Sequence, residues 1–190
     1  MGMTVQRRKD TRTRRVFMHK VADIRGGVSV KVSELGGDFL HEGAVLSAPE
    51  DGICHVVKTA VLSAEASATA TEIKVSKEHN FKVGDFIMAD EGGKAYAITE
   101  IVTTEKSYDT IKVGTTLGVK IEKGGFIIEA AAQATDSDSK LKHTPQSLVG
   151  TGKPIDPKSN LDTDAWLIGV TKGNPLPECI MKHLKGIINY

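Results

Sequence analysis

The sequence DFIMADEGGKAYAITEIV, residues 85–102, indicates the fold class more clearly than any other stretch of the chain. Its apolar residues are concentrated in two runs, residues 85–89 and 94–102, and the EGG sequence of residues 91–93 lies between them. Glycine-containing polar clusters are typical of turns, and each run has the length of a short strand. The stretch therefore predicts two strands joined by a tight connection.

Further runs of this kind lie on either side of this stretch, at spacings of roughly 8 to 12 residues, and turn residues bound each of them. No segment with a helical period separates them, as the crossover helices of a parallel sheet would. The additional runs are residues 71–75, 110–113, 119–121 and 126–129. This pattern predicts a mainly β fold, an antiparallel small barrel or sandwich.

An irregularity is predicted inside the longest of these strands. Tyr96 and Ile98 share one face because side chains alternate along a strand, but the next large apolar residue, Ile101, falls on the other face. An extra residue in one strand of a pair restores a common face. We therefore predict a β-bulge around Thr99 and Glu100; the alternative is a strand buried on both sides at this point.

Weaker signals extend the β pattern towards the N-terminus. Valine alternates with polar residues over residues 28–32, which is the two-residue period of a half-buried strand. Short apolar runs at residues 44–46 and 53–57 flank the turn-rich sequence PEDG of residues 49–52. These two runs predict a hairpin.

Composition divides the chain into four segments, the last of which contains the helical signal. Helical spacing predicts a short C-terminal helix that includes Ile180, Met181, Leu184 and Ile187. The predicted segments are a flexible basic arm at residues 1–24, a β module at 25–132, a linker or long loop at 133–160 and a C-terminal strand and helix piece at 161–190.

The basic arm is the strongest electrostatic feature of the sequence. Its first twenty residues contain seven Lys or Arg against Asp10 alone, a balance of +6 that leaves the remaining chain at −5 within a net charge of +1. Such a segment binds anionic partners, either acidic protein surfaces or nucleic acid phosphates, unless it is only a solvated tail. The candidate partner-binding residues are Arg7, Arg8, Lys9, Arg12, Arg14 and Arg15.

Membrane and secreted classes are not expected. No apolar run approaches the roughly 20 residues of a membrane span, and the basic N-terminus leads into no apolar segment that resembles a signal peptide. We therefore expect synthesis in the cytoplasm. In that compartment Cys54 and Cys179 are expected to be free, buried thiols.

No catalytic constellation is visible, so we expect no enzyme activity, no cofactor and no metal. The six histidines are dispersed and show no ligand spacing with one another or with cysteine. The GTGK sequence of residues 150–153 lacks a phosphate-binding pattern, because Ser147 replaces the first glycine and Pro154 the hydroxyl that binds magnesium. Either cysteine would need a base from a distant part of the fold to act as a nucleophile.

Three stretches resemble structural proteins of phages. His41 to Leu46, HEGAVL, resembles a turn and strand of phage head decoration proteins. The stretch HNFKVGDFI of residues 79–87, followed by YAITEI at 96–101 and YDTIKVGTTLG at 108–118, is similar to β modules of phages and prophages of gut bacteria. Head fibre and head decoration proteins are the families that the chain resembles, over residues 37–128.

This resemblance implies a virion component, made in the bacterial cytoplasm, that docks on an assembled capsid or another virion protein as a homo-oligomer without a cofactor. The basic arm departs from simple decoration modules, and the resemblance assigns it no contact surface. The alternative function is a nucleic-acid-binding β-barrel that uses the N-terminal arm. Against this alternative, the strand region has few aromatic residues for base stacking and the chain outside the arm is negatively charged.

Overall fold

The fold is mainly β with one short helix near the C-terminus, as the sequence predicts. The structure is a computed structural model, and it describes residues 14–190. In chain order the strands are β1 (Phe17–Asp23), β2 (Val28–Val30), β3 (Phe39–Leu40), β4 (Val45–Ser47), β5 (Ile53–Cys54), β6 (Thr59–Val61), β7 (Glu72–Ser76), β8 (Phe86–Met88), β9 (Ala95–Val102), β10 (Tyr108–Val113), β11 (Phe126–Ala130), β12 (Pro145–Val149), β13 (Lys153–Pro154), β14 (Leu161–Thr163), β15 (Ala165–Thr171) and β16 (Ile187–Asn189). A 3-10 turn spans Val32–Glu34, and helix α1 spans Glu178–Met181.

The middle of the chain forms a six-stranded antiparallel sheet in the order β6-β11-β8-β9-β10-β7. An isolated bridge between Leu62 and Val75 brings its two end strands together, so the sheet curls around its own core. Ile73, Ile98 and Ile111 are among the side chains that fill this core. They are aliphatic residues on alternate positions of their strands, which is why short β-branched runs were sufficient to predict the strands.

The predicted bulge in β9 is confirmed. Lys112 of β10 pairs with Glu100, but the next residue, Val113, pairs with Ile98, so Thr99 is the extra residue. The shift allows Ile98 to be buried in the core while Thr99 and Glu100 are exposed. The Thr99 hydroxyl also donates a hydrogen bond to the Lys112 carbonyl at 3.1 Å.

The first and last strands of the described residues belong to a second, five-stranded sheet of order β1-β15-β12-β4, with β16 added parallel to β15. Both faces of its central part are covered. Val45 and Leu148 lie in one buried cluster with Ile180 of the helix, whereas Leu46 and Val149 lie in another. The described residues contain no helix with the length and apolarity that crossing a bilayer requires.

Two further sheets complete the fold around this second core. β14, β2 and β5 form a three-stranded sheet in which β2 and β5 are parallel, and β13 pairs with β3. Their apolar residues, including Val30 and Leu40, belong to the cluster that also contains Leu46 and Val149. Residues from before and after the six-stranded sheet thus share one core.

A buried charge network lies where the two large sheets meet. Lys58, whose side chain is 1% exposed, contacts Asp85 at 2.6 Å and Glu129 at 3.2 Å. Lys142 adds a second cation at 2.8 Å from the same Glu129 oxygen. Burial alone would lower the pKa of Lys142, but the hydrogen bond and charge of Glu129 outweigh it, and this pKa is raised. Two lysines therefore balance two carboxylates in a site with little access to water.

The structure differs from the sequence-based predictions in four segments. The C-terminal helix ends at Met181, so Leu184 lies outside it and Ile187 lies in β16. Residues 133–160, expected as a linker or long loop, contain β12, a buried strand at the centre of the five-stranded sheet. The segment has only two adjacent apolar residues, and its buried Ser147 gave no hydrophobic signal. Residues 119–121 form no strand, and Ile121 makes a single bridge to Ala66. Residues 17–23, included in the predicted arm, form β1.

Gly36 packs directly against the main chain of Phe81, and this close contact predicts the effect of a larger residue on stability. A β-carbon at Gly36 would overlap the main-chain carbonyl of Phe81, which cannot move away as a flexible side chain would. We expect Gly36→Ala to lower the free energy of unfolding by about 2–3 kcal/mol, as overpacking typically does. Gly114→Ala is the matched control because the nearest atom to its β-carbon is a Thr99 methyl at 3.8 Å. Urea denaturation measures both, and equal effects of the two substitutions would contradict the prediction.

Candidate docking surface

β1 is an edge strand that exposes most of its side chains. It pairs with β15 on one side only, and register shifts interrupt this ladder in three places. Residues 18–21 are all exposed, whereas a strand with one covered face shows alternating burial. An edge strand presents unpaired N–H and C=O groups, which can pair with another chain. β1 is therefore the main open sheet edge next to the N-terminal arm.

The start of β1 is tied firmly to the rest of the fold. The Val16 and Phe17 main-chain N–H groups both donate to Glu42 Oε1, at 3.0 and 2.8 Å. The Val16 side chain is 1% exposed, and its carbonyl accepts a hydrogen bond from the Lys172 N–H at 3.0 Å. Arg15, the residue before this anchor, is exposed. Val16 and Phe17 are thus held by main-chain hydrogen bonds to two separate segments.

Exposed apolar side chains are concentrated on β1, β15 and the C-terminal end of the chain. Among the described residues, six of the eight large exposed hydrophobic side chains lie there. The set comprises Met18, Val21, Leu167, Ile168, Ile188 and Tyr190. The strands that hold most of them are neighbours, since Ala22 of β1 is opposite Ile168 of β15 and Val170 of β15 is opposite Ile188 of β16. We call these six residues, with Arg14, Arg15 and Lys20, the β1 surface.

An aromatic and cationic cluster stiffens the middle of the β1 surface. Lys20 Nζ lies 5.3 Å from the Phe17 ring centroid and 5.2 Å from that of Trp166, within the range of cation–π attraction. Asp164 Oδ2 accepts a hydrogen bond from Trp166 Nε1 at 2.8 Å and lies 3.6 Å from Lys20 Nζ. Burial would raise the pKa of Asp164, but the Trp166 and Thr151 hydrogen bonds and the Lys20 charge lower it. Asp164 thus balances the charge of Lys20.

The residues predicted to bind a partner lie at the start of this surface or outside the described chain. Arg14 and Arg15 are exposed immediately before β1. Arg7, Arg8, Lys9 and Arg12 lie outside the described residues. Because Asp164 balances Lys20, Arg14 and Arg15 are the cations of the β1 surface that are available to a partner. Arg14 also lines a cleft of about 270 Å³ with Glu42 and Asn174.

The apolar part of the β1 surface was missed at the sequence level. Met18 and Val21 stand among Arg, His and Lys, so their segment was assigned to the arm. Ile168 and Ile188 stand in apolar runs, which give no local signal of exposure. The apolar triplet of residues 16–18 was the one local signal of a strand in this segment. Exposure of the other residues depends on which strands end the sheet, and this is a tertiary property.

The two cysteines are free and buried, as predicted. Burial raises the pKa of Cys54, and burial together with the nearby Asp90 and Glu91 carboxylates raises that of Cys179 to about 11. We expect Cys179 to react with a thiol reagent at neutral pH about 100-fold more slowly than an exposed cysteine, because its thiolate is two pKa units less populated. Labelling in native buffer and in urea checks this, and rapid native labelling of either thiol would contradict it.

The fold also brings together two histidines that are 88 positions apart in the sequence and show no ligand spacing there. His55 and His143 stack with their ring centroids 4.2 Å apart, and Glu34 lies against them. No local spacing could reveal this group because its three members come from distant parts of the chain.

Comparisons of the chain with protein-family models, with curated proteins and with solved structures returned no match.

Proposed function

We propose that this chain is a non-enzymatic structural component of a phage virion, a head fibre or capsid decoration protein that docks on a capsid through protein–protein contacts. The observation that carries the proposal is the β1 surface, where exposed apolar side chains lie at an open strand edge that directly follows the basic arm in the sequence. The phage-like stretches HEGAVL, HNFKVGDFI and YDTIKVGTTLG support the same class.

The chemistry of the β1 surface favours a protein partner with an acidic surface. Contiguous exposed apolar side chains mark interaction sites because their burial against a partner is favourable. Arg14 and Arg15 border this apolar area and add positive charge, which attracts carboxylates and steers the approach. The free edge of β1 offers main-chain hydrogen bonds to a strand of the partner. An outer shell protein with an acidic patch and an exposed strand meets all three requirements.

The chemistry of the thiols supports a role without catalysis. A cysteine nucleophile requires a thiolate with a lowered pKa next to a base, whereas both thiols are buried and have raised pKa values. Their surroundings therefore favour the packed, unreactive state of a structural cysteine.

Assembly through the β1 surface also includes contacts between copies. Head fibres and decoration proteins act as repeated units, so we propose a homo-oligomer that is made in the bacterial cytoplasm and incorporated into the virion. Ordering a basic arm on binding costs conformational entropy and gains charge contacts, so these contacts should weaken as salt is added.

Nucleic acid binding through the arm is the competing function. The arm's positive balance suits phosphate contacts, which are strong at low salt. Trp166 beside the β1 surface packs against Phe17 and Lys20, and Lys172 Nζ lies 5.3 Å from the ring centroid of the exposed Tyr190. A lysine thus already covers a face of each ring on which a base would stack, so the surface favours a protein partner.

Light scattering after size-exclusion chromatography separates the two functions. The full chain is compared with a variant that starts at Val16, each with and without a short DNA duplex at low salt. We expect a defined oligomer in both forms and no DNA in the protein peak. A monomer that elutes with DNA only when the arm is present would overturn the proposal in favour of nucleic acid binding.

A further inference from the structure

Four segments converge beside the end of β4 and bring a cluster of histidines and carboxylates together. Ser47 at the end of β4 donates its N–H to the His55 carbonyl at 2.8 Å, on one side of the strand. On the other side the next residue, Ala48, donates to the Thr144 carbonyl at 3.2 Å, which positions the adjacent His143. The 3-10 turn Val32–Glu34 adds Glu34. The cluster thus depends on hydrogen bonds on both sides of one strand end.

Each histidine has a carboxylate at Nδ1. His55 Nδ1 lies 2.9 Å from Glu34 Oε2, and His143 Nδ1 lies 3.2 Å from Glu50 Oε1. The side chains of His55 and His143 are 11% and 9% exposed, and Glu50 on the rim is 59% exposed. A carboxylate at Nδ1 fixes the tautomer of a neutral imidazole and leaves the lone pair on Nε2. His143 is therefore oriented with an acceptor nitrogen at Nε2.

That nitrogen has no partner in the fold. His143 Nε2 is buried and makes no hydrogen bond. A buried polar atom without a partner has lost its hydrogen bonds to water without replacement, so native proteins seldom retain one without a reason. A ligand that accepts the lone pair of Nε2 would compensate for this loss. The chemistry of such a ligand follows from the neighbouring donors.

We propose that Glu34, His55 and His143 form a binding site for a divalent transition-metal ion of the Zn²⁺ class. One donor atom of each residue lies within 4.8 Å of the donors of the other two. Two imidazoles and one carboxylate are a ligand set that zinc accepts, and three protein ligands leave one coordination position open. The ion takes the place of the proton between Glu34 and His55 Nδ1, and His143 Nε2 is the third ligand. The displaced proton moves to His55 Nε2, which lies 3.9 Å from Glu50 Oε2.

The charges around Glu34 suit this role. Burial would raise the pKa of Glu34, but hydrogen bonds and charge attraction from His55 and Lys31 outweigh it and lower the pKa to about 2. Glu34 is therefore ionised at neutral pH. Lys31 Nζ contacts Oε1 at 2.9 Å and leaves Oε2, the oxygen next to His55, for the ion. One carboxylate oxygen of Glu34 thus holds Lys31, and the other is placed to bind the ion.

Binding requires a small adjustment of the histidine rings. Donors bound to zinc at about 2.0–2.1 Å lie roughly 3.3 Å apart in a tetrahedral site. The His55 and His143 rings are nearly parallel, at 12°, so one ring must tilt to direct both lone pairs at the ion. His143 can tilt while Glu50 follows, because the Glu50 side chain is on the exposed rim. Glu50 is thus a positioning residue rather than a ligand.

Metal titration of the tag-free full chain tests the site. We expect one Zn²⁺ per chain by calorimetry, and Co²⁺ in its place should produce the visible absorption of a tetrahedral site. His55→Gln and His143→Gln should each weaken binding by about 100-fold or more, and Glu50→Gln by about tenfold, as loss of an outer partner does. His183→Gln is the matched control, since His183 is exposed and should leave the affinity unchanged.

A second measurement tests the site in the wild-type chain, so it does not depend on whether the variants fold. Long-range proton–nitrogen spectra of the wild-type chain report each histidine ring nitrogen with and without Zn²⁺. We expect the ion to shift the nitrogen signals of His55 and His143 and leave those of His183 in place. The proposal is overturned if neither ring responds to equimolar Zn²⁺, or if His55→Gln and His143→Gln bind Zn²⁺ as the wild type does.

Discussion

Replacing Glu129 by Gln should lower the free energy of unfolding by about 3–5 kcal/mol, because it leaves buried charge without its partner. Glu129 is 2% exposed, and one of its oxygens contacts both Lys58 and Lys142. After the substitution, Lys58, which has almost no access to water, keeps only Asp85 as a partner, and Lys142 loses its carboxylate contact. The amide preserves the shape of the side chain, so the loss reports the charge and not the packing.

Glu122→Gln is the matched control for this experiment. Glu122 also forms an ion pair, at 2.7 Å from Lys120 Nζ, but its side chain is 70% exposed. Exposed pairs contribute little, so we expect a much smaller change than that of Glu129→Gln. Urea denaturation at neutral pH measures both variants. Equal, small effects would contradict the view that the network at the junction of the two sheets is a major source of stability.

The double substitution Val21→Glu with Ile168→Glu should reduce binding to the virion by at least about 100-fold. The two residues are 58% and 46% exposed, so replacing them should change the stability of the free chain little. When the β1 surface is covered by a partner, each introduced glutamate places a charge in an apolar contact. Central interface residues commonly contribute about 2 kcal/mol or more each, and 1.4 kcal/mol corresponds to tenfold in affinity.

Val83→Glu with Val119→Glu is the matched control. These residues are 58% and 47% exposed, so the change in surface chemistry is the same, but they lie outside β1, β15 and β16. We expect virion binding to stay within about twofold of the wild type, since surface changes remote from an interface are close to neutral. Equal losses in the two double variants would show that added negative charge, and not the β1 surface, controls binding.

Alternation of side chains predicted β7 and β10 well because each buries one face, whereas β8 and β11 bury residues on both faces. The mismatch between Ile98 and Ile101 was sufficient to locate the bulge at Thr99. Local sequence carries this information because each strand must place its apolar residues on the side of the core. The same reasoning failed at residues 119–121, where burial of Ile121 requires only one bridge.

Strand β12 shows why the second sheet was harder to predict. Both of its faces are covered by separate cores, so its residues need not alternate, and the buried Ser147 looks like a loop residue. The exposed apolar residues of the β1 surface and the pair His55 and His143 were missed for a related reason. Both depend on which strands become neighbours or edges, and no spacing along the chain encodes this.

The most direct test of the account is whether the chain is part of a particle. Phage particles from a host that carries the coding sequence are banded in a density gradient, and the chain is quantified by mass spectrometry. We predict that the wild-type chain bands with the capsid protein in a fixed ratio, and that the Val21→Glu with Ile168→Glu variant stays at the top of the gradient. A wild-type chain that remains at the top while capsids band normally would contradict the virion assignment.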